Sequence, residues 1–557
     1  MGSNGLLSLT LLVAAGAACT GVIGGDDEQP GAGGGGAAGA AAAASATDID
    51  PTSVYLRRLN AREYQQTVAD VFGETADLSK EFPPESALDG YDNNVLALPA
   101  SGPLVEAYAN LATQIAKGVL TSPTRRAKVL GCEPRGATRA SCLDSILTTL
   151  GRRVFRRPLT TEERTDLLAL ANAAASDPDQ DAPAQLLLEG LLQSSNFLYR
   201  VEVGEPLADK PGRSRLTGYE VASRLSYFLW GSAPDDALLD AAGKSELDTS
   251  AGVEKSARAM LGDARAKKAV SNFQQQWLGL GRLGSVSRSA TYFPKWTATL
   301  KTSMAEETRL LLEDFTFRDG AAFLDLLTAK YSFVNSELAA HYGLPAPSGT
   351  GFSKVNFSAT DPRAGVLTHA SLLTAYSQSE TLSPILRGKF IRDVFTCEHP
   401  PPPPPGVAPI NEATPTSVRE KLEQHRTNPA CAGCHNAMDP VGFGFERYDI
   451  VGAYRTADSQ GRPLTGQGSL EGFPNPGFVG PEELATRLRA SPKVSACVIQ
   501  NVVRFAMGRS IAPTDTPLIA AQDEAFRKNN LDFRSMLVAF VASDAFRTFK
   551  TTPAGGQ

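Results

Sequence analysis

From Tyr55 onward the chain keeps restarting one pattern. A small polar residue precedes a run with apolar side chains every three or four positions, and a glycine ends it. "YLRRLNAREYQQTVADVFG" stops at Gly73. "RRPLTTEERTDLLALANAAA" opens with Thr160 and Glu163 at capping-box spacing. "LTGYEVASRLSYFLWG", "SMAEETRLLLEDFTF" and "NSELAAHYGLP" follow, the last closed by Gly343 and Pro345. "TLSPILRGKFIRDVFTC" offers Ser383 as N-cap and Pro384 at the first helical position. "KVSACVIQNVVRFAMGR" lines Val494, Cys497, Val498, Val502 and Phe505 along one face before Gly508. Few segments alternate for long enough to form strands. The expected fold class is therefore mainly α, a multidomain helical array.

The chain has 557 residues, 42% hydrophobic and 20% charged, which is ordinary globular usage with ample material for cores. A net charge of −6 over that length gives no reason to expect nucleic acid as a partner. "LLSLTLLVAAGAACTG" has the length and small-residue ending of an export signal, and Gly16-Ala17-Ala18-Cys19 resembles a lipoprotein signal in which Cys19 is acylated. The start "MGSNG" lacks the usual Lys or Arg, so a plain secretory signal is the alternative. The Gly/Ala-rich stretch after it buries too little apolar surface to order itself and is expected to act as a leash. The expected location is the periplasmic or cell-surface face of a membrane, held by the lipid.

Export permits disulfides. With Cys19 set aside for lipid and Cys431 and Cys434 for a local motif, four cysteines remain. Cys132 and Cys142 close a short loop with turn-forming Pro and Gly, so that pair is expected to bond. Cys397 with Cys497 follows by elimination, with buried free thiols as the alternative. The arginine pairs Arg57-Arg58, Arg152-Arg153 and Arg156-Arg157 are read as helix residues making surface ion pairs or interdomain bridges.

Six prolines, Pro400 to Pro405, read as a stiff polyproline spacer. Soon after it, "TNPACAGCHNAMDP" packs Cys431, Cys434 and His435 into five residues. Cys-x-x-Cys-His is the attachment pattern of c-type haem, in which two thiols add to the porphyrin vinyl groups and the adjacent histidine meets the iron. Structural zinc would need a further ligand pair, and His341, His369, His399 and His425 are scattered. A redox dithiol would usually follow a strand, whereas the flanks here read as a helix, a turn and a Gly-rich loop. His435 is the expected proximal ligand. Met438 is too close to His435 to reach the opposite side. Met507, on an apolar helix far downstream, and His425, six residues before Cys431, are the distal candidates, and an open sixth position is the third option.

"LRGKFIRDVFTCEHPPPPPPGV", "LEQHRTNPACAGCHNAMDPVGFGFERYDIVGAYR" and "CVIQNVVRFAMGR" resemble a bacterial family of exported proteins. That family consists of consecutive domains of unknown function and carries a cytochrome-c-like haem motif. "LRRLNAREYQQTVADVFG", "GRRVFRRPLTTEE" and "YEVASRLSYFLWGSAPDDALL" extend the likeness over most of residues 51 to 548. The resemblance implies a multidomain, mainly helical protein with a C-terminal cytochrome-c-like haem domain. The expected layout is a signal at 1–19, a linker at 20–50 and helical domains at 51–125, 126–210 and 211–350. A domain at 351–460 carries the spacer and the motif, and one at 461–557 completes the haem pocket. The expected function is electron transfer through one covalent haem c to an unidentified redox partner protein, rather than turnover. The alternatives are a peroxidase- or oxygenase-type enzyme with an open iron position, and a non-enzymatic surface lipoprotein with a structural Cys-x-x-Cys.

Overall fold

The computed structural model describes residues 56–378, 382–400, 417–427 and 429–550. Cys19, the export signal, the leash and prolines 401–405 lie outside the described residues, as does the His425 side chain. The structure is mainly α-helical. Its helix boundaries follow the local chemistry. Asn60 caps Ala61–Phe72 in a capping box with Glu63, and Gly73 ends that helix in the left-handed conformation at φ 65°. Thr160 with Glu163 and Thr217 with Glu220 repeat the capping box. Ser383 caps Pro384–Phe395, with Pro384 in its first turn, and Gly508 ends Pro492–Met507 at φ 62°.

Among the described residues, the strands form four small antiparallel sheets. Arg57–Arg58 pairs with Tyr199–Arg200, Tyr331–Val334 with Ser353–Asn356, and Gln467–Ser469 with Gly477–Val479. A fourth sheet joins distant parts of the chain: Arg213–Arg215 pairs with Glu205–Pro206 on one edge and with Thr548–Lys550 on the other.

Two hydrophobic cores result. The first gathers Leu59, Tyr64, Phe72, Leu111, Ile146, Leu188 and Phe197 with their neighbours. The second takes in Tyr91 and buried residues from Leu216 to Phe549, among them Trp277, Phe323, Phe395, Phe445 and Phe505. Residues 91–95 tie the first stretch to the second core. The Tyr91 hydroxyl donates to Asn501 Oδ1 at 2.9 Å, Asn93 Nδ2 donates to Phe505 O at 2.8 Å, and Val95 N donates to Gly508 O at 2.8 Å.

Both disulfides are present: Cys132–Cys142 with Cα atoms 5.6 Å apart, and Cys397–Cys497 at 5.5 Å. The arginine pairs bridge as expected in part. Arg152 meets Asp240 at 2.6 Å and Arg153 pairs with Asp236, linking Arg152–Phe155 to the helix Asp236–Gly243. Arg57 and Arg58 depart from the expectation: they lie in a strand rather than a helix, and they are buried, paired with Glu63 and Glu85. Arg156 is buried as well, donating to the carbonyls of Asn196, Phe197 and Tyr199.

Candidate functional site

The motif sits on a helix, Pro429–Phe443, that runs straight through it. The expected turn and glycine loop after His435 give way to two further helical turns containing Pro440. A proline there removes one backbone donor, and the helix continues because its neighbours hold it. Cys431, Cys434 and His435 stand at i, i+3 and i+4, so their side chains share one helix face. Both thiols are unpaired; Cys431 is buried and Cys434 half-buried.

Helical spacing also supplies a partner that sequence reading missed. Asp439 lies one turn beyond His435, and its carboxylate meets His435 Nδ1 at 3.0 Å and 3.2 Å. The Asp439 side chain is fully buried. Burial pushes its carboxyl up to about 6, against the opposing pull of His435. The contact fixes the imidazole ring by its Nδ1 edge, which places Nε2 at the opposite edge. Such a carboxylate behind a ligating histidine sets the ring's orientation and raises its basicity.

The motif helix lies against Pro384–Phe395 almost backbone to backbone. A Cβ at Gly388 would fall 1.9 Å from Met438 O, and one at Gly442 would fall 1.8 Å from Pro384 O, so only glycine fits at either position. Two buried arginines lock the contact. Arg392 Nε donates to Ala437 O at 3.1 Å and its Nη1 to Glu471 O at 3.0 Å. Arg387 is fully buried, and among the described residues it forms no ion pair with a carboxylate. Its two terminal nitrogens donate to the carbonyls of Phe445, Tyr448, Leu373 and Asp449 at 2.6–3.0 Å. Burial pulls its guanidinium down to about 9, against the opposing pull of Asp449. It holds the turn that follows the motif helix.

Cys434 opens onto a cleft of about 530 Å³. Gly433, Asn436 and Ala437 of the motif helix form one wall, Arg392, Glu398, His399 and Pro400 another, and Glu471 and Gly472 a third. A second cavity of about 510 Å³ flanks the same helix and shares Asn436 and Glu471 with the first. The Cys397–Cys497 disulfide anchors the segment carrying Glu398 and His399 to the helix Pro492–Met507. His399 is thus brought to the cleft, with its Nδ1 3.2 Å from Asp393 Oδ1. Its place two residues after a bonded cysteine was the available signal. Met438 is buried in the motif helix. Met507 closes Pro492–Met507, which packs chiefly on Thr516–Lys528 and Pro384–Phe395, and it lies partly buried against the second core.

Five family models match successive stretches of the chain, each described as a protein of unknown function. They are DUF1587 at residues 57–121, DUF1595 at 142–202, DUF1592 at 216–344, DUF1588 at 363–458 and DUF1585 at 476–546. The chain is an array of domains of unknown function. Cys431, Cys434, His435 and Asp439 all fall within the DUF1588 match, whose model is named PSCyt3. No curated protein and no solved structure matches the chain.

The residues present fit a covalent haem. Two unpaired thiols and an imidazole share one helix face, Cys434 borders a cleft, and a buried carboxylate orients the imidazole. Among the described residues, no group of three or more His, Cys, Asp and Glu side chains converges as a structural zinc site would require. No helix among them is long and apolar enough to cross a membrane.

A second polar cluster lies sealed in the large core. The Ser332 hydroxyl donates to Glu307 Oε1 at 2.7 Å and lies 3.3 Å from His369 Nε2. His369 Nδ1 meets Thr308 Oγ1 at 2.9 Å, and the Tyr342 hydroxyl donates to Glu307 Oε2 at 2.5 Å. Burial drives Glu307 up to about 7 and His369 down to about 3, the latter helped by Arg363.

Proposed function

We propose that the chain carries one haem, bound through Cys431 and Cys434 with His435 as the proximal ligand, and that it passes electrons to a redox partner protein. The observation that carries this reading is the helix face shared by the two thiols and the Asp439-braced imidazole, with Cys434 bordering a cleft. A haem held there supplies a one-electron couple, with the protein setting its access and potential. Cys431 and Cys434 anchor the macrocycle. Asp439 keeps the His435 ring in orientation from its Nδ1 side. Arg387, Arg392 and the paired glycines Gly388 and Gly442 hold the motif helix fixed. Cys431 is buried in the closed structure, so its attachment step precedes the docking of the motif helix. That order suits a chain matured outside the cytoplasm, which the lipoprotein-like Cys19 and its leash also favour. Membrane tethering through Cys19 is part of the same proposal.

The peroxidase-type reading has one observation in its favour: the cleft beside Cys434 also presents His399 and Arg392, an acid/base group and a cation of the kind such chemistry uses. Carbon monoxide binding separates the two. The full chain, matured in a host with haem-attachment machinery and then reduced, should show an unchanged visible spectrum under carbon monoxide if the sixth position is ligated. A shifted Soret band would favour the open-site enzyme. A colourless product would remove both.

A further inference from the structure

Residues 95–105 read Val-Leu-Ala-Leu-Pro-Ala-Ser-Gly-Pro-Leu-Val and hold no charged side chain. They run from the turn Val95–Ala97 into the helix Gly102–Thr121. Leu98 and Leu104 are buried, and Leu104 joins the first core with Tyr64 and Tyr108. Leu96 and Val105 stay outside, 70% and 61% exposed, with Pro99, Ala100 and Pro103 exposed between them.

The backbone is pinned, so these side chains cannot withdraw. Val95 N donates to Gly508 O at 2.8 Å, Leu96 N to Asn94 Oδ1 at 3.1 Å, and Leu104 N to Ser101 Oγ at 3.4 Å. Arg58 Nε donates to Leu98 O at 3.1 Å. That bond brings the stretch to the start of the described residues, where Leu56 is 61% exposed. Five large apolar side chains among the described residues are at least that exposed, and three of them, Leu56, Leu96 and Val105, belong to this one region. A single exposed apolar residue is ordinary, whereas a pinned, uncharged group of them marks a surface that something covers.

We propose that this surface rests on the membrane that holds the protein, with Leu56, Leu96 and Val105 at the boundary of headgroups and acyl chains. The choice of occupant rests on the tethering through Cys19 proposed above. A leash from Cys19 ends at Leu56, within the patch, so the tether draws this side of the body toward the lipid. Such a leash spans roughly 30–35 Å root-mean-square and holds the patch near the surface at an effective concentration of about a millimolar. Shallow burial of a few apolar side chains is then sufficient. Residues 95–105 carry no Lys or Arg, and Glu85 is committed to Arg58 at 2.6 Å, so the contact is apolar rather than an attraction to anionic headgroups. Glu106, the first charge after the stretch, is exposed.

The full chain carrying Leu96→Trp, in phosphatidylcholine vesicles with brominated acyl chains, tests the proposal, while intact mass reads acylation of Cys19 separately. Emission of the new tryptophan should fall at least roughly twofold relative to unbrominated vesicles. A tryptophan placed by Val479→Trp, at an exposed site on Gly477–Val479, should lose none. Val105→Asp added to Leu96→Trp should remove at least about half of the quenching, because a carboxylate there opposes burial. Quenching in a chain without acylation supports the docking surface and removes the tether. An acylated chain whose Leu96→Trp is unquenched overturns the docking surface and leaves the tether standing, and an unacylated, unquenched chain overturns both. Equal quenching at Leu96→Trp and Val479→Trp overturns it as well. So does a blue shift of Leu96→Trp that grows with protein concentration in the absence of vesicles, which assigns the patch to a second copy of the chain.

Discussion

Two of the histidine–carboxylate pairs among the described residues, His435–Asp439 and His369–Glu307, differ in what their surroundings let them do. His435 meets Asp439 at 3.0 Å on a helix that borders a cleft, with two unpaired thiols on the same face. His369 lies 3.7 Å from Glu307, with side chains 2% and 0% exposed. With Ser332 the inner pair makes up a serine–histidine–glutamate set of the sort used for acyl transfer, yet no substrate can reach a serine that is itself fully buried. Its groups satisfy one another: Thr308, Ser371 and Tyr342 complete the network. Composition alone would rank the inner set as the better catalyst. Access reverses that ranking and turns the inner set into part of the fold.

The comparison is broken most directly by exchanging damage between the two pairs. Cys431→Ser combined with Cys434→Ser should abolish covalent haem while leaving the far-ultraviolet circular dichroism unchanged. His369→Ala should do the reverse, leaving haem content per folded molecule intact. It should lower unfolding free energy in urea by about 3 kcal/mol, because Glu307 and Thr308 lose a buried partner. A haem loss in folded His369→Ala would erase the distinction.

A smaller effect sharpens the account of the inner pair. Glu307 is raised from 4.5 to about 7, so the fold favours its protonated form. That contribution is complete below pH 4.5 and is lost as pH rises toward 7. His369 is lowered from 6.5 to about 3, so the fold favours its neutral form. That contribution is complete above pH 6.5 and is lost as pH falls toward 3. Between pH 4.5 and 6.5 the two slopes oppose each other, each about 1.4 kcal/mol per pH unit. Glu307→Gln should therefore expose a stability that rises with pH in this window, and His369→Gln one that falls. Equal, flat profiles in both variants would show that the groups do not titrate as a sealed pair.

The smallest effect belongs to the outer pair. Asp439→Asn keeps the shape but removes the charge behind His435, making the imidazole a weaker donor. The midpoint potential of the matured protein should rise on the order of tens of millivolts. No change in potential would mean that Asp439 only packs.

Much of this was legible in the residues because the signals are local. Caps such as Asn60, Thr160 and Ser383 act within one helical turn, and the Cys132–Cys142 loop spans only ten positions. The motif triplet was legible for the same reason. Asp439 is equally near His435 but is not legible from the residues, since the glycine-rich stretch that follows the motif reads as a loop rather than as a continuing helix. Buried arginines were hidden for a different reason. Arg387 and Arg58 carry the charge of surface residues, and only distant carbonyls and carboxylates make their burial tolerable. The pairing of Arg213–Arg215 with Thr548–Lys550 involves strands too short for alternation to register.

The central claim is most directly tested by intact mass and a pyridine haemochrome spectrum of the full chain, produced where haem attachment operates. The account predicts the mass of the chain increased by one haem, with a haemochrome band typical of two thioether links, both lost in Cys431→Ser plus Cys434→Ser. A correctly folded, colourless protein of unmodified mass would contradict it.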